Sequence, residues 1–264
     1  MAIMLLSFYC YNAGAFIWKP TMISKNQLKL IRALNQKKYR KQHQLFLVQG
    51  EKNVVELLGS DFEVDQIFAT HSFIAEHSDA LRNQHVIETD EEQLEKASTL
   101  ISNNAALAIV KMKQKAVPEP KGMMLALDGV SDPGNLGTII RVADWYGITH
   151  IIASDDCADP YNPKTISATM GSFSRVHVSQ VDLPSYLNNA ALPIYGAYLG
   201  GENVHQVSFA KEGIILMGSE SHGIRPLAGQ HVTQKITIPA FGQAESLNVA
   251  MATGIILDNV RRGQ

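Results

Sequence analysis

A chain of 264 residues with 45% hydrophobic and 18% charged residues has the composition of one large or two modest globular domains, which excludes a disordered, collagen-like or low-complexity chain. A formal net charge of −2 excludes a uniformly basic nucleic-acid binder but not a locally basic one. Two cysteines, Cys10 and Cys157, rule out a disulfide framework and the usual zinc cluster; no metal centre is expected, and free thiols fit a reducing compartment.

Fifteen of the first eighteen residues are hydrophobic, and the first charged side chain is Lys19. That length is about the lower edge of a membrane span. No basic segment opens the run and no clean small-x-small cleavage site closes it, so a secretory signal fits poorly. Met22, followed by Ile-Ser-Lys-Asn-Gln, begins a good amphipathic segment. The favoured expectation is that residues 1–21 are an upstream extension of the true start, with a membrane or targeting segment or a packed extension as the other readings. No other stretch is apolar enough to span.

Ser24 predicts a helix cap, with the helix running to about Leu34 and Leu28, Ile31 and Leu34 on its apolar face. Charge is unevenly placed here. Residues 24–50 hold seven cations (Lys25, Lys29, Arg32, Lys37, Lys38, Arg40 and Lys41) and no acid, whereas residues 51–100 hold three basic and twelve acidic residues. Tyr39 and His43 lie inside the basic run. Cations beside a stacking ring suit a phosphate backbone and an unstacked base; taken alone, a solvated helix and loop is the plainer reading. Strand is then predicted at Leu45–Val48, broken by Gly50, and helix at Glu51–Leu58. Strand follows at Val64–Ala69, helix at 72–82 and strand at 85–88. Thr89-Asp-Glu-Glu92 reads as a capping box for a helix to about Ala97, and Ala106–Lys111 as strand. This alternation argues a small α/β layer domain over residues 22–112. The polar, proline-bearing stretch 113–121 reads as a linker.

Residues 122–264 repeat the alternation. Strand is predicted at Met123–Leu127, then helix from about Leu136 to Tyr146. Further strands fall at 150–153, 176–180, 193–198, 213–217 and 235–239, with helices near 163–171 and 183–189 and a last helix from about Ser246 to Arg261. Continuous apolar strands such as Gly213-Ile-Ile-Leu-Met217 suit a parallel sheet covered on both faces, and such sheets bind ligands at the carboxyl ends of their strands.

Three polar, glycine-rich clusters follow strands. In the first, Leu127-Asp-Gly-Val-Ser-Asp-Pro-Gly-Asn-Leu-Gly-Thr-Ile-Ile-Arg141, Pro133 and Gly134 are expected to turn the chain. Asn135 and Thr138 then fall at the helix start, where backbone N–H groups are free. Arg141 comes nearly two turns after Asn135, and the two are expected to face similar directions. No Gly-Lys-Ser/Thr follows, so this is no phosphate loop, and the dinucleotide G-x-G-x-x-G is absent, which argues against a nucleotide-dependent oxidoreductase. In the second cluster, Leu216-Met-Gly-Ser-Glu-Ser-His-Gly223, Gly218 lets the backbone approach a ligand and Glu220 supplies a carboxylate; a turn cap is the plainer role for Glu220, and a surface position for His222. In the third, Ile236–Gly254, Ser246 can cap the last helix. Asn248, a poor helix former in the first turn, suggests a ligand contact or a cap.

Together the clusters resemble the three motifs of the SpoU class of RNA ribose 2′-O-methyltransferases, within the SPOUT superfamily and TrmH family. Asp132-Pro-Gly-Asn-Leu-Gly-Thr-Ile-Ile-Arg141 resembles the first motif. Gly218-Ser-Glu220 with Gly223 resembles the second, and Ile238-Pro with Ser246-Leu-Asn248 the third. They occur in order over about half the chain. The N-terminal half resembles, less specifically, the ribosomal-protein-like substrate-binding domain often fused to this enzyme. The resemblance implies an α/β fold whose C-terminal parallel-sheet domain carries a deep trefoil knot, S-adenosylmethionine as cofactor, no metal, and a cytoplasmic homodimer formed through the C-terminal domain. It places Gly218, Ile238 and Leu247 against the cofactor, largely through backbone groups, and Asn135, Arg141, Glu220, Ser246 and Asn248 in the catalytic neighbourhood. Ser172 stands where the family commonly has alanine, and His222 is not its usual residue inside the second motif.

The implied reaction is attack of a ribose 2′-hydroxyl on a sulfonium methyl group. A guanidinium stays charged in proteins, so Arg141 is read as a holder of the adjacent phosphate and the developing oxyanion, with the phosphate or a water taking the proton. Asn135 and Glu220 would orient Arg141 and the hydroxyl. Lys25, Lys29, Arg32, Lys37, Lys38, Arg40 and Lys41 would carry structured RNA to the site. Ribosomal RNA is the expected substrate. A transfer RNA methyltransferase and a non-catalytic RNA-binding member of the fold are the alternatives.

Overall fold

The computed structural model describes residues 22–100, 102–113 and 116–263. The apolar leader of residues 1–21 lies outside the described residues. The first half comprises α1 (Lys25–Ala33), α2 (Lys37–His43), β1 (Leu45–Gln49), α3 (Glu51–Leu58), β2 (Val64–Ala69), α4 (His71–Glu76), α5 (Ser78–Leu81), β3 (Val86–Glu88), α6 (Glu91–Ala97) and β4 (Ala106–Lys111). Ser24 caps α1 as expected, and Gln27 completes a capping box. Gly50, at φ +84°, separates β1 from α3 in a conformation that favours glycine. Three expectations shift. The helix expected over 72–82 is two short helices broken at His77. The cap of α6 is Asp90, not Thr89; its carboxylate accepts from the Gln93 N–H. Helix α2 has no apolar periodicity and was not expected at all.

These strands form a four-stranded sheet in the order β1-β4-β2-β3, antiparallel except for the β2–β3 pair. Side chains alternate between its faces, as the pleat requires. Leu47, Phe68, Leu107 and Ile109 pack with Ile31 of α1, Leu34 at its C-cap and Leu94 of α6. Phe46, Val48, Ile67 and Ala108 face the other way, onto Val54 and Leu57 of α3 and onto Ile166 and Phe173 from the second half of the chain.

The second half comprises β5 (Met123–Asp128), α7 (Pro133–Trp145), β6 (His150–Ser154), α8 (Pro163–Thr169), a 3-10 turn at Ser172–Ser174, β7 (His177–Val181), α9 (Leu183–Asn188), β8 (Ile194–Asn203), β9 (Gly213–Gly218), α10 (Pro226–Gly229), β10 (Gln234–Thr237) and α11 (Val249–Arg262). Its six strands form a wholly parallel sheet in the order β10-β8-β9-β5-β6-β7. Leu125, Leu127, Ile151, Ile215 and Met217 face α7 and α11. Met124, Ala126, Ile152, Ile214 and Leu216 face α9 and α10. Both faces are covered, which is why these strands read as unbroken apolar runs.

Two starts differ from expectation. Helix α7 begins at Pro133, with Asp132 as its cap, so Pro133 and Gly134 form its first turn rather than a loop. The cap of α11 is Asn248, not Ser246. Along β8 the pairing with β10 jumps from Gly196↔Lys235 to Glu202↔Ile236, so residues 197–201 loop out of register. Gly201 closes that loop: a Cβ there would stand 2.7 Å from the Lys235 backbone. No helix among the described residues is long and apolar enough to cross a membrane.

The two halves are joined by packing and charge. Phe46 lies 4.6 Å from Tyr161 and 6.3 Å from Phe173, ring centre to ring centre. Arg175 pairs with both Glu56 and Asp144. Arg40 reaches across to Asp159, with its Nη2 2.6 Å from the carboxylate.

Candidate active site

The three clusters meet at the carboxyl ends of β5, β9 and β10. Asp132 fixes the first. Its Oδ1 accepts from the Asn135 N–H at 2.8 Å, and Lys164 Nζ sits 3.1 Å from Oδ2. The backbone hydrogen bond from Asn135, helped by Lys164, holds the Asp132 carboxyl below the usual carboxylate range. The cap orients the first turn of α7 and with it the Asn135 side chain.

Asn135 in the first turn of α7, Glu220 in the loop after β9 and Asn248 at the cap of α11 form one hydrogen-bonded cluster. The Asn135 amide donates to Glu220 Oε1 at 3.1 Å. The Asn248 amide donates to the same oxygen at 2.7 Å and to Asn135 Oδ1 at 2.9 Å. Asn248 Oδ1 meanwhile accepts from the Ala250 and Met251 N–H groups at the start of α11. Of the two roles weighed for Asn248, the structure shows the cap, while the other end of the amide is spent on Glu220 and Asn135. Glu220 Oε2 has no protein partner among the described residues and is open to a ligand donor.

Arg141 is not drawn into this cluster. At about 100° per residue, six residues carry Arg141 about 120° around α7 from Asn135, so the similar facing expected from the spacing does not hold. The side chain is exposed on a stripe with Thr138 and Trp145 and has no protein partner among the described residues. His222 is exposed and its Nδ1 bonds only the neighbouring Ser221 hydroxyl.

Beside the cluster lies a cavity of about 820 Å³, lined among others by Tyr198, Leu199, Gly218, Ile238, Phe241 and Leu247. Glu220 and Ser246 also line it beside the three residues expected to contact a cofactor, whereas Asn135, Arg141 and Asn248 lie outside the lining. The out-of-register loop of β8 forms part of the wall. Gly218 admits no side chain: a Cβ would stand 2.1 Å from the Gly223 carbonyl carbon. Leu199, Phe241 and Leu247 are left 82%, 96% and 48% exposed at the cavity. Large apolar side chains bared around a concave site with a few polar groups are the mark of a small-molecule pocket, and the volume lies within the usual range of roughly 300–1,000 Å³.

The basic run divides. Lys25, Lys29 and Arg32 on α1 and Lys37, Lys38 and Lys41 on α2 are exposed. Arg40 is buried, its side chain bound to Asp159 and to the Leu34 carbonyl, so it is unavailable to a phosphate and leaves the set expected to bind RNA. Reading by residue type also passed over Asp128, Lys164 and Arg225. Arg225 follows the second cluster directly, and Asp128 ends a strand beside a glycine; an ion pair linking two of the clusters was the signal available.

Comparison with known proteins adds to this geometry. Residues 122–258 match the SpoU rRNA Methylase family, and residues 25–108 match an MRM3-like substrate binding domain. The chain is 29% identical over 250 residues to the 23S rRNA (guanosine(2553)-2′-O)-methyltransferase RlmP of Bacillus subtilis, covering 90% of this chain and 97% of that one. It is 30% identical over 206 residues to the 23S rRNA (guanosine-2′-O-)-methyltransferase RlmB of Bordetella pertussis, covering 74% and 78%. The solved AdoMet-bound rRNA methyltransferase from Sinorhizobium meliloti superposes with a TM-score of 0.81 at 29% identity, covering 92% of this chain and 97% of that chain.

Proposed function

The chain belongs to the SpoU rRNA methylase family and is an S-adenosylmethionine-dependent RNA 2′-O-methyltransferase; we propose that it modifies a ribose of large-subunit ribosomal RNA and that Asn135, Glu220 and Asn248 organise its reaction centre. The observation that carries the assignment of the centre is the convergence of both amides on Glu220 Oε1 at the edge of the apolar cavity. The names of the relatives support the choice of RNA.

The cavity fits the cofactor: its apolar walls suit an adenine ring, and Glu220 and Ser246 add polar groups at its edge. Gly218, Ile238 and Leu247 would hold it. Bound there, it supplies an electrophilic methyl group. The chain's own residues must hold the ribose, orient its hydroxyl and accommodate the proton. Glu220 is fixed through Oε1, which leaves Oε2 to accept a hydrogen bond from the 2′-hydroxyl. Asn135 and Asn248 each donate one amide hydrogen bond that holds that carboxylate still, and Asn248 steadies Asn135 with another. Ser246 lies on the cavity wall, within the loop that precedes the Asn248 cap. Arg141, exposed and unpaired among the described residues, is suited to hold the neighbouring phosphate. Positioning of this kind can supply several kcal/mol, up to about 7–11.

We divide the chain into a leader (1–21), an RNA-binding domain (22–112), a linker (113–121) and a methyltransferase domain (122–264). Two separate sheets and the two family matches support this division. The C-terminal domain is read as carrying the trefoil knot of its family, and the enzyme as cytoplasmic.

A homodimer through the C-terminal domain is supported by apolar side chains left bare on two helices that pack together: Trp145 of α7 is 84% exposed and Met251 of α11 is 63% exposed. Trp145→Arg is expected to convert a dimer into a monomer in sedimentation equilibrium without changing the unfolding temperature of the monomer. A wild-type chain that sediments as a monomer would remove this assignment.

The test of function is methyl transfer from labelled S-adenosylmethionine to unmodified ribosomal RNA and, separately, transfer RNA. The expected result is label on a ribose of the ribosomal RNA. Label on transfer RNA would replace the substrate, and cofactor binding without transfer to either would favour a non-catalytic RNA binder. Contact with about four phosphates gives a log–log salt slope near −3 on single-stranded RNA, and replacing Lys37, Lys38 and Lys41 by alanine should flatten it by about 2. An unchanged slope would leave these lysines as a solvated face.

A further inference from the structure

Glu220 sits on a short loop that no strand or helix holds. Strand β9 ends at Gly218 and α10 begins at Pro226. Between them, Ser219 and Gly223 exchange backbone hydrogen bonds of 3.1 and 2.9 Å, closing a tight turn with Glu220 as its second residue. Such a turn fixes its own shape but not its placement against the rest of the site.

Arg225 supplies the missing attachment. Its backbone N–H donates to Asp128 Oδ2 at 2.7 Å, and its Nε donates to Asp128 Oδ1 at 2.8 Å, with Nη2 on the same oxygen. On the other side, Nη1 and Nη2 donate to the Asp156 carboxylate at 2.8 and 3.1 Å. Asp128 is 2% exposed and accepts hydrogen bonds from Arg225 alone among the described residues. A buried carboxylate with a single partner constrains that partner strongly, because separation would leave it uncompensated.

The same lattice runs on to the first cluster. The Ser154 hydroxyl donates to Asp156 at 2.6 Å and accepts from the Gly129 N–H at 2.9 Å. Gly129 lies at φ +77° in the loop that leads to the Asp132 cap and Asn135, and a Cβ there would lie 3.6 Å from the Ser219 side chain. One guanidinium thus ties together the loops on both sides of the Asn135–Glu220 hydrogen bond.

We propose that Arg225 is a positioning residue for methyl transfer: by clamping the end of β5 and the loop after β6 to the Ser219–Gly223 turn, it places Glu220 against Asn135 and the ribose. This rests on the reading of Glu220 as part of the reaction centre. The contribution is to rate rather than to RNA binding, since the Arg225 guanidinium, although 44% exposed, is committed through Nε, Nη1 and Nη2 to Asp128 and Asp156.

The experiment is a double-mutant cycle in single-turnover methyl transfer, with RNA affinity measured alongside. Arg225→Ala is expected to slow transfer about 30-fold while RNA affinity stays within about two-fold, the size expected when a reacting group is displaced by a fraction of an ångström. Arg225→Lys, able to meet Asp128 but not both carboxylates, should recover part of the rate. Combined with Glu220→Gln, Arg225→Ala should add less than about three-fold, because the two act through one group. Multiplying losses, or Arg225→Ala at the wild-type rate while Glu220→Gln is slow, would overturn this inference alone. Glu220→Gln at the wild-type rate would overturn it together with the assignment of Glu220. Should Arg225→Ala fail to fold, Asp156→Asn weakens the outer contact while Asp128 keeps its pairing with Arg225 and one oxygen is left for the Ser154 hydroxyl; the same sub-multiplicative coupling to Glu220→Gln is expected of it, and multiplying losses there would overturn the inference equally.

Discussion

Replacing Asn248 by alanine should slow methyl transfer by at least about 10²-fold and also lower stability by roughly 1 kcal/mol, two effects that a second substitution can separate. The rate effect follows from the amide hydrogens. Without them, Glu220 Oε1 keeps only Asn135, and Asn135 Oδ1 loses its donor. The stability effect follows from the amide oxygen, which satisfies two N–H groups at the start of α11. Asn248→Asp keeps an oxygen for the cap, and a negative charge is favoured at a helix N-terminus. It removes both donors, however, and sets a second carboxylate against Glu220. The aspartate variant should therefore unfold near the wild-type temperature and remain as slow as the alanine variant, measured by thermal melting and single-turnover transfer. An aspartate variant with wild-type activity would show that Asn248 serves only as a cap.

Arg40→Ala is expected to cost roughly 3–5 kcal/mol in unfolding free energy, far more than any of its lysine neighbours, because it leaves the Asp159 carboxylate without its cation and with only the Tyr161 N–H among the described residues. Asp159 is 12% exposed at its side chain and Arg40 2%. The Leu34 carbonyl, which accepts from Nη1 at 2.8 Å, loses its donor as well. Lys37, Lys38 and Lys41 on the same helix point to solvent, and their removal should weaken RNA binding with little effect on stability. Urea unfolding and salt-dependent RNA binding on the four single variants would sort them into these two groups. Converting the pair together, as Arg40→Met with Asp159→Leu, should regain most of the loss. An Arg40→Ala chain as stable as the wild type, but with a flatter salt slope, would return Arg40 to the RNA-binding set.

What the sequence disclosed and what it hid follow a physical divide. The parallel strands were legible because burial on both faces leaves unbroken apolar runs, as at Ile214–Met217. The hydrogen-bonded cluster of Asn135, Glu220 and Asn248 was legible as three polar residues in the segments that follow such runs, where a sheet exposes its carboxyl edge. Helix α2 was not legible, since Lys37-Lys38-Tyr39-Arg40-Lys41-Gln42-His43 has no apolar stripe; what anchors it is Arg40, bonded to a residue 119 positions away. The Arg225–Asp128 pair, 97 positions apart, is hidden for the same reason. Periodicity records which face of an element is buried, not which distant charge meets it. The facing of Arg141 was misjudged on a simpler ground, since nearly two turns is not two whole turns.

The shared packing between the halves bears on how such a chain can be rebuilt. Phe46, Val48 and Ile67 of the first sheet are covered partly by Ile166 and Phe173, which belong to the methyltransferase half of the chain. An excised N-terminal module would bare that apolar face, and a foreign module grafted in its place would meet side chains shaped for another surface. A chimera that exchanges RNA specificity between relatives must therefore carry α8 and the turn at Ser172–Ser174 along with the N-terminal sheet, or redesign both sides of the seam together. The unit of transplantation is not a contiguous stretch of sequence.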